Sequence, residues 1–246
     1  MSRFFYPGPL ICGELLKLPA SAARHVQVLR MQPGQSITLF NGEQDQMGAV
    51  GEFSAIITGM GRSDVQVQVG LYSAVDRQAR RSVHLAVAMP ANDRMDWLVE
   101  KATELGVASI QPLMSERSVL RLSGERADKK QIHWQSVVIA ACEQCGGNQV
   151  PMVCRMLTLV DWLKLQASLG NSRLPGLLLS LKAGSLEVSD VIANHPALTL
   201  LAGPEGGLSQ IEEDTAISCG FVPVSLGQRV LRTETAALFA LASVLG

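Results

Sequence analysis

The chain has 246 residues, 47% hydrophobic and 17% charged, and its 21 Lys plus Arg against 22 Asp plus Glu leave a formal net charge of -1. That length and apolar content suffice for one or two packed domains and exclude a disordered chain. The charge balance excludes attraction of nucleic acid by a global basic field, so an anionic partner has to be met by local patches.

In chain order, MSRFFYPGPL is broken by Pro7 and Pro9 and lacks the apolar core of a signal peptide. No apolar run is long enough to span a membrane, and the five cysteines are an odd number, so the expectation is a cytoplasmic protein with reduced thiols. Residues 1–74 read as mostly β. SITLFNG (36–42), GAVGEFSAII (48–57) and VQVQVGLY (65–72) are short β-rich runs separated by turn residues, and VQVQV alternates as a half-exposed strand does. A helix over 21–31, capped by Ser21, completes what reads as a small barrel with a helical insert. The polar segment AVDRQARRSV (74–83) reads as a linker.

Beyond it the texture changes. VHLAVAM (83–89) is a buried-strand candidate. It precedes a helix capped by Asp93, with Met95, Leu98, Val99, Ala102 and Leu105 on one face and Gly106 at its end. A strand follows near 108–113, and then a helix over 129–145 stopped by Gly146 and Gly147. LLLSL (177–181), ALTLLA (197–202) and FVPVSL (221–226) are continuous apolar runs that suit a parallel sheet covered on both faces. Strand–helix alternation predicts an α/β fold over roughly 80–246.

Three stretches carry chemistry. In LLAGPEGGLSQIEED (200–214), Ser209 and Glu212 fit a capping box, so the glycines lie between a strand end and a helix start, where open α/β sheets bind ligands. The loop has no lysine and carries Glu205, and the chain has no G-x-G-x-x-G, so both phosphate-binding fingerprints fail. A ligand loop and a plain tight connector both remain open on spacing alone.

In SLGQRVLRTETAALFALASVL (225–245), Arg229 and Arg232 follow a strand end, as solvated charge or as substrate anchors. The helix after them, capped by Thr233, is apolar nearly all round and so buried in the core or against another subunit. In CEQCGGNQVP (142–151) the Cys142–Cys145 pair has no second pair to complete a zinc site, and a helix end with two small residues is the better account. Glu143, Gln144 and Asn148 form a polar cluster there, a substrate contact or a cap. The four histidines share no spacing, and no metal is expected.

LLAGPEGGLSQIEE followed by LGQRVLRTETAAL resembles the C-terminal signature of SPOUT-type RNA methyltransferases. With RFFYPGPL, HVQVLRMQPGQSITLFNG, RMDWLVEKATELGV, SERSVL and CEQCGGNQVP in order, the whole chain resembles the RsmE group within them. That resemblance implies methylation of N3 of one uridine in small-subunit (16S) ribosomal RNA, with S-adenosylmethionine as cofactor. It implies a PUA-like RNA-binding β-barrel over 1–74 and a SPOUT α/β domain over 75–246, with a parallel sheet, a deep C-terminal trefoil knot and a homodimer interface. It puts the cofactor against Ser180, Leu181, Leu201, Gly203, Pro204, Glu205, Gly206, Gly207, Ser225, Leu226, Gly227, Val230 and Leu231. Arg232 becomes the candidate for stabilising charge on the base, with Glu234 or Glu205 as base or loop-orienting group. Arg3, Arg24 and Arg30 are candidates for RNA backbone contacts, alongside Glu143, Gln144, Asn148 and Arg229.

The sequence departs from the group at Gly147, where arginine is usual, and carries Gln149 where arginine or another polar residue is often found; MPANDR (89–94) stands where many members carry Lys-Gly. Two rivals stay open: a SPOUT enzyme acting on another RNA, and a non-catalytic RNA-binding module of the same fold.

Overall fold

Alternation decides the first sheet. The structure, a computed structural model, describes residues 2–43, 50–191 and 195–245, and the chain divides into two units, Met1–Gln78 with Ile139–Val150, and Ala79–Val138 with Pro151–Gly246. In the first unit the strands are β1 (Arg3–Phe5), β2 (Leu15–Lys17), β3 (Ser36–Phe40), β4 (Gly51–Met60) and β5 (Val65–Ala74), with helix α1 (Ala20–Val28) between β2 and β3. Val65, Val67 and Val69 of β5 point into the core while Gln66 and Gln68 face out. The same period in β4 buries Ala55 and Ile57. These residues pack with Phe4, Ile37 and Leu39 against Ala22, Ala23 and Val26 of α1. The sheet runs in the order β1-β3-β4-β5-β2, parallel between β1 and β3 and antiparallel elsewhere; among the described residues it is an open path. Gly48 and Ala49, at the start of the expected middle strand, lie outside the described residues.

α1 differs from the expected span of 21–31. Pro19 is its N-cap residue, with no side-chain cap bond, and Ser21 sits inside the first turn. A proline just before the helix presets the backbone without needing an amide partner. The helix ends early because Arg30 takes φ 54, which lets Arg30 N donate to Gln27 O at 2.9 Å and Met31 N to Val26 O at 3.2 Å.

The second unit is an α/β fold on a parallel sheet. Its elements are β6 (Ser82–Ala88), α2 (Asn92–Leu105), β7 (Ser109–Met114), α3 (Gly124–Cys145, whose residues from Ile139 group with the first unit), β8 (Met152–Val153), β9 (Leu157–Thr158) and α4 (Leu159–Ser168). After these come β10 (Gly176–Leu179), β11 (Leu186–Glu187), α5 (Val188–Val191), β12 (Ala197–Ala202), α6 (Gln210–Ser218), β13 (Phe221–Ser225) and α7 (Thr233–Leu245). The strands lie in the order β11-β13-β10-β12-β6-β7-β8, with β9 also on β7, and every pairing is parallel.

The continuous apolar runs are buried as such strands require. Leu198, Leu200 and Leu201 of β12, and Leu85, Ala86, Val87 and Ala88 of β6, are almost wholly inaccessible. Leu159, Trp162, Leu163 and Ala216 from α4 and α6 pack with Ala86, Leu178 and Leu201 of the sheet. α2 and α7 pack on each other, and α7 also packs on β6 and β12.

Several boundaries move. The run LLLSL stops being strand at Leu179, which leaves Leu181 71% exposed. α2 starts at Asn92 with Ala91 as N-cap, so Asp93 lies in the first turn instead of capping it, and Leu105 is partly exposed. α3 starts at Gly124, and Thr233 is the first residue of α7: Ala236 N donates to Arg232 O at 2.8 Å, which makes Arg232 the residue at the cap position.

Candidate active site at the strand ends

β13, β10 and β12 are neighbours, and the loops after their carboxyl ends enclose a cavity of about 530 Å³. Leu179, Leu181, Leu226, Val230 and Leu231 give it apolar walls, and Gly203, Pro204, Glu205, Gly207 and Gly227 bring backbone to its surface. A cavity of this size at the carboxyl edge of a parallel sheet is where such folds bind small molecules.

Local chemistry builds the glycine loop. Gly207 has φ 67, and its N–H closes a turn on Pro204 O at 2.8 Å. A Cβ on Gly203 would approach Leu208 N to 3.1 Å, so a side chain there would push the turn by a few tenths of an ångström. α6 then starts on the capping box: Ser209 Oγ accepts from Glu212 N, and Glu212 Oε2 accepts from Ser209 N at 2.9 Å. Arg117 Nη1 donates to Gly206 O at 2.9 Å and fixes the outer side of the loop.

Charged groups also line the cavity. Glu205 Oε1 accepts from Ala91 N at 3.1 Å and from Arg94 Nη1 at 3.3 Å, so it satisfies the backbone N–H of the residue that begins α2. Arg94 Nε also stands 3.8 Å from Glu234 Oε1. Glu234 is buried, and its Oε2 has no hydrogen-bond partner among the described residues. Glu213 Oε2 meets Lys182 Nζ at 3.0 Å, and its Oε1 accepts from Ser180 Oγ at 3.4 Å. Hydrogen bonds to Asp214 and Glu213 hold the Lys182 ammonium above its ordinary pKa. Arg229 and Arg232 line the cavity with exposed side chains. An apolar slot with two carboxylates and three guanidiniums suits a ligand with an apolar ring and a cationic centre, beside a polyanionic second substrate.

Comparison with known proteins decides the family. Residues 77–245 match the model of the RNA methyltransferase domain. Proteins named ribosomal RNA small subunit methyltransferase E are similar over most of the chain: that of Bacillus subtilis is 30% identical over 89% of this chain and 84% of its own length, and that of Synechocystis 32% identical over 89% and 68%. The Neisseria gonorrhoeae protein of that name, solved bound to S-adenosylmethionine, is 35% identical with a TM-score of 0.89, covering 99% of this chain and 96% of its own. A Legionella pneumophila structure described as a methyltransferase with bound cofactor SAM is 37% identical with a TM-score of 0.90, covering 98% and 96%. The chain belongs to the small-subunit ribosomal RNA methyltransferase E family.

Within that family frame, most of the residues singled out in the sequence gather at one place. Ser180, Leu181, Gly203, Pro204, Glu205, Gly207, Leu226, Gly227, Arg229, Val230, Leu231 and Arg232 all line the cavity. Leu201, Gly206 and Ser225 do not. Leu201 is in the core, Gly206 turns to Arg117, and Ser225 Oγ accepts the Gly227 N–H at 3.2 Å. Glu234 is also absent from the lining and meets Arg94. The sequence reading missed Arg94, Leu208 and Glu213, which do line the cavity. Arg94 stands in MPANDR, a segment whose composition departs from the group. Glu213 follows the capping-box Glu212 directly.

The first unit holds the remaining candidates, and Arg3 does not fit its expected role. Its guanidinium pairs with Glu52, donates to Asn148 Oδ1 at 2.7 Å and lies over the Phe40 ring at 5.0 Å. A guanidinium so engaged and only 12% exposed is spent inside the unit. Asn148 is likewise buried, with Nδ2 donating to Val75 O at 2.6 Å. Glu143 Oε1 accepts from Phe5 N at 3.1 Å, and its Oε2 stands 3.6 Å from His25 Nδ1. Burial raises the Glu143 pKa despite these partners. Arg24, Arg30 and Gln144 are exposed. Burial also pushes the Cys142 thiol up to about 12, an inert thiol at neutral pH. Among the described residues no group of three His, Cys, Asp or Glu could hold a metal ion, and no helix is long and apolar enough to cross a membrane.

Proposed function

We propose that the chain is an S-adenosylmethionine-dependent methyltransferase acting on N3 of one uridine in small-subunit ribosomal RNA. The observation that carries this reading is the cavity itself: apolar walls, lysine-free glycine loop and carboxylates stand together where the loops after β10, β12 and β13 meet. Those residues fit the cofactor. Leu181, Leu226 and Leu231 would pack on the adenine ring, and backbone of 203–207 and 226–231 would hydrogen-bond adenine and ribose. A glycine loop without lysine and with Glu205 suits a sulfonium cation better than it suits a phosphate. When bound, S-adenosylmethionine supplies an electrophilic methyl group.

The chain's own residues then have to deal with the base. Uracil N3 carries a proton in its neutral form, so an acceptor is needed, and charge develops on the flanking carbonyl oxygens. Arg232, exposed at the cavity, is placed in the role of stabilising that charge. Glu234 and Glu205 are the acceptor candidates. Glu205 lines the cavity but is engaged by Ala91 and Arg94, and Glu234 is buried beside Arg94, so each is a candidate for either the acceptor or a loop-orienting role.

The reading extends to the finer architecture. Residues 1–74 would close as a PUA-like RNA-binding barrel whose exposed Arg24 and Arg30 meet the RNA backbone, and Arg229 would do so beside the cavity. Residues 75–246 would form a SPOUT domain knotted at its C-terminus, and α7, with Phe239 52% exposed, would face a second copy in a homodimer. The protein would work in the cytoplasm on assembled or structured ribosomal RNA, since RNA is read largely by shape and unstacked bases. The test incubates purified protein with labelled S-adenosylmethionine and small subunits that lack the modification. N3-methyluridine at one position supports the proposal. Cofactor binding without transfer would reduce the chain to an RNA-binding module, and a different methylated nucleoside would replace the base assignment.

A further inference from the structure

Arg94 is the side chain through which two walls of the cavity meet. It stands in the first turn of α2, where Arg94 N donates to Ala91 O at 2.9 Å, and its side chain is 41% exposed at the cavity. Nη1 reaches Glu205 Oε1, in the glycine loop after β12, at 3.3 Å. Nε stands 3.8 Å from Glu234 Oε1, in the first turn of α7 after the β13 loop. One cation thus serves two carboxylates on two separately folded segments.

Without it, neither carboxylate would keep an ion-pair partner within 4.0 Å among the described residues. Glu234 would be the worse placed. It is 93% buried and its Oε2 already lacks a partner among the described residues, so Arg94 is the cation nearest to a carboxylate that water scarcely reaches. Glu205 would keep only the Ala91 amide. Both walls would then be free to relax away from the apolar slot between them.

We infer that Arg94 is a positioning residue that clamps the glycine loop and the start of α7 together and so holds the cofactor cavity in binding-competent form. This rests on the reading of the cavity as an S-adenosylmethionine site. Arg94 acts through Glu205 and Glu234, and its loss shows in cofactor affinity more than in the chemical step.

The experiment is calorimetric titration of S-adenosylmethionine, with S-adenosylhomocysteine in parallel, into the full chain and into Arg94→Gln, Arg94→Lys, Glu205→Gln and the Arg94→Gln/Glu205→Gln double variant. Thermal melts without cofactor accompany each. Arg94→Gln keeps the aliphatic stem and removes the charge. The expected results are an affinity loss of about tenfold for Arg94→Gln, partial recovery in Arg94→Lys, and a double variant little worse than the worse single one, since both remove one interaction. Affinity within twofold of the unsubstituted protein for Arg94→Gln, or losses that simply multiply in the double variant, overturns the inference. If Arg94→Gln melts too low to titrate, Arg94→Met, which also keeps the aliphatic stem and removes the charge, carries the test on the same criteria. Failure of the unsubstituted protein to bind S-adenosylmethionine would instead sink the cofactor reading.

Discussion

Glu212 Oε1 accepts a hydrogen bond from the Glu116 backbone N–H at 2.7 Å while its Oε2 closes the capping box on Ser209. One buried carboxylate therefore ties the SERSVL segment to the loop that forms the cavity wall. Glu212→Ala strands two N–H groups at about 1–3 kcal/mol each, so a destabilisation of about 2–6 kcal/mol is expected. The three tryptophans, Trp97, Trp134 and Trp162, all lie in the second unit, so denaturant titration followed by tryptophan fluorescence reads this loss directly. A midpoint unchanged within error would mean that the tie carries no stability.

Gly203→Ala has a different signature. The added Cβ meets Leu208 N at 3.1 Å, against backbone that the capping box anchors. The loop must shift by a few tenths of an ångström at the cavity surface. Affinity for S-adenosylmethionine is expected to fall about tenfold or more, with a smaller change in stability, as read by calorimetry beside a thermal melt.

Arg232→Ala is expected to lower turnover far more than cofactor affinity. Removing a group that meets charge only in the transition state costs about a hundredfold to a thousandfold in rate. Single-turnover methylation of ribosomal subunits, compared with calorimetric cofactor affinity, separates the two quantities. Equal losses in both would make Arg232 part of the cofactor site alone.

The Glu52 carboxylate supplies a pH test in the first unit. Burial pushes its pKa up, but hydrogen bonds from Arg77, at 3.0 Å, and from Arg3 outweigh that and hold it below its ordinary value of 4.5. A depressed folded-state pKa gives stability that is present above 4.5 and is lost as pH falls through the folded value. Thermal melts should therefore fall below about pH 4.5 in the unsubstituted protein, and Glu52→Gln should start lower and lose less over that range. Parallel curves would show that the pair contributes nothing to acid sensitivity.

Local patterns carried much of this fold. The alternation of VQVQV, the apolar runs of β6, β12 and β13, and the Ser209–Glu212 box all have periods or spacings that fix their structure without help from elsewhere. Contacts distant in sequence were not legible. The Ala91 N–H at the start of α2 finds its acceptor in Glu205, 114 residues away, whereas the local pattern pointed to Asp93 as the cap. Arg3 looked like a surface charge because nothing near it in sequence reveals Glu52, Phe40 or Asn148. Arg94 and Glu213 were missed for the same reason: a cavity wall is defined by what faces it, which a helical period does not record.

The most direct test of the central claim is the methylation state of small-subunit ribosomal RNA in cells lacking this gene, with and without the gene restored. N3-methylation blocks the Watson–Crick edge of uracil, so primer extension reports the site and mass spectrometry the nucleoside. The account predicts that one N3-methyluridine disappears with the gene, returns with the intact gene, and does not return fully with the Arg232→Ala variant. An N3-methyluridine content unchanged by loss of the gene would contradict it.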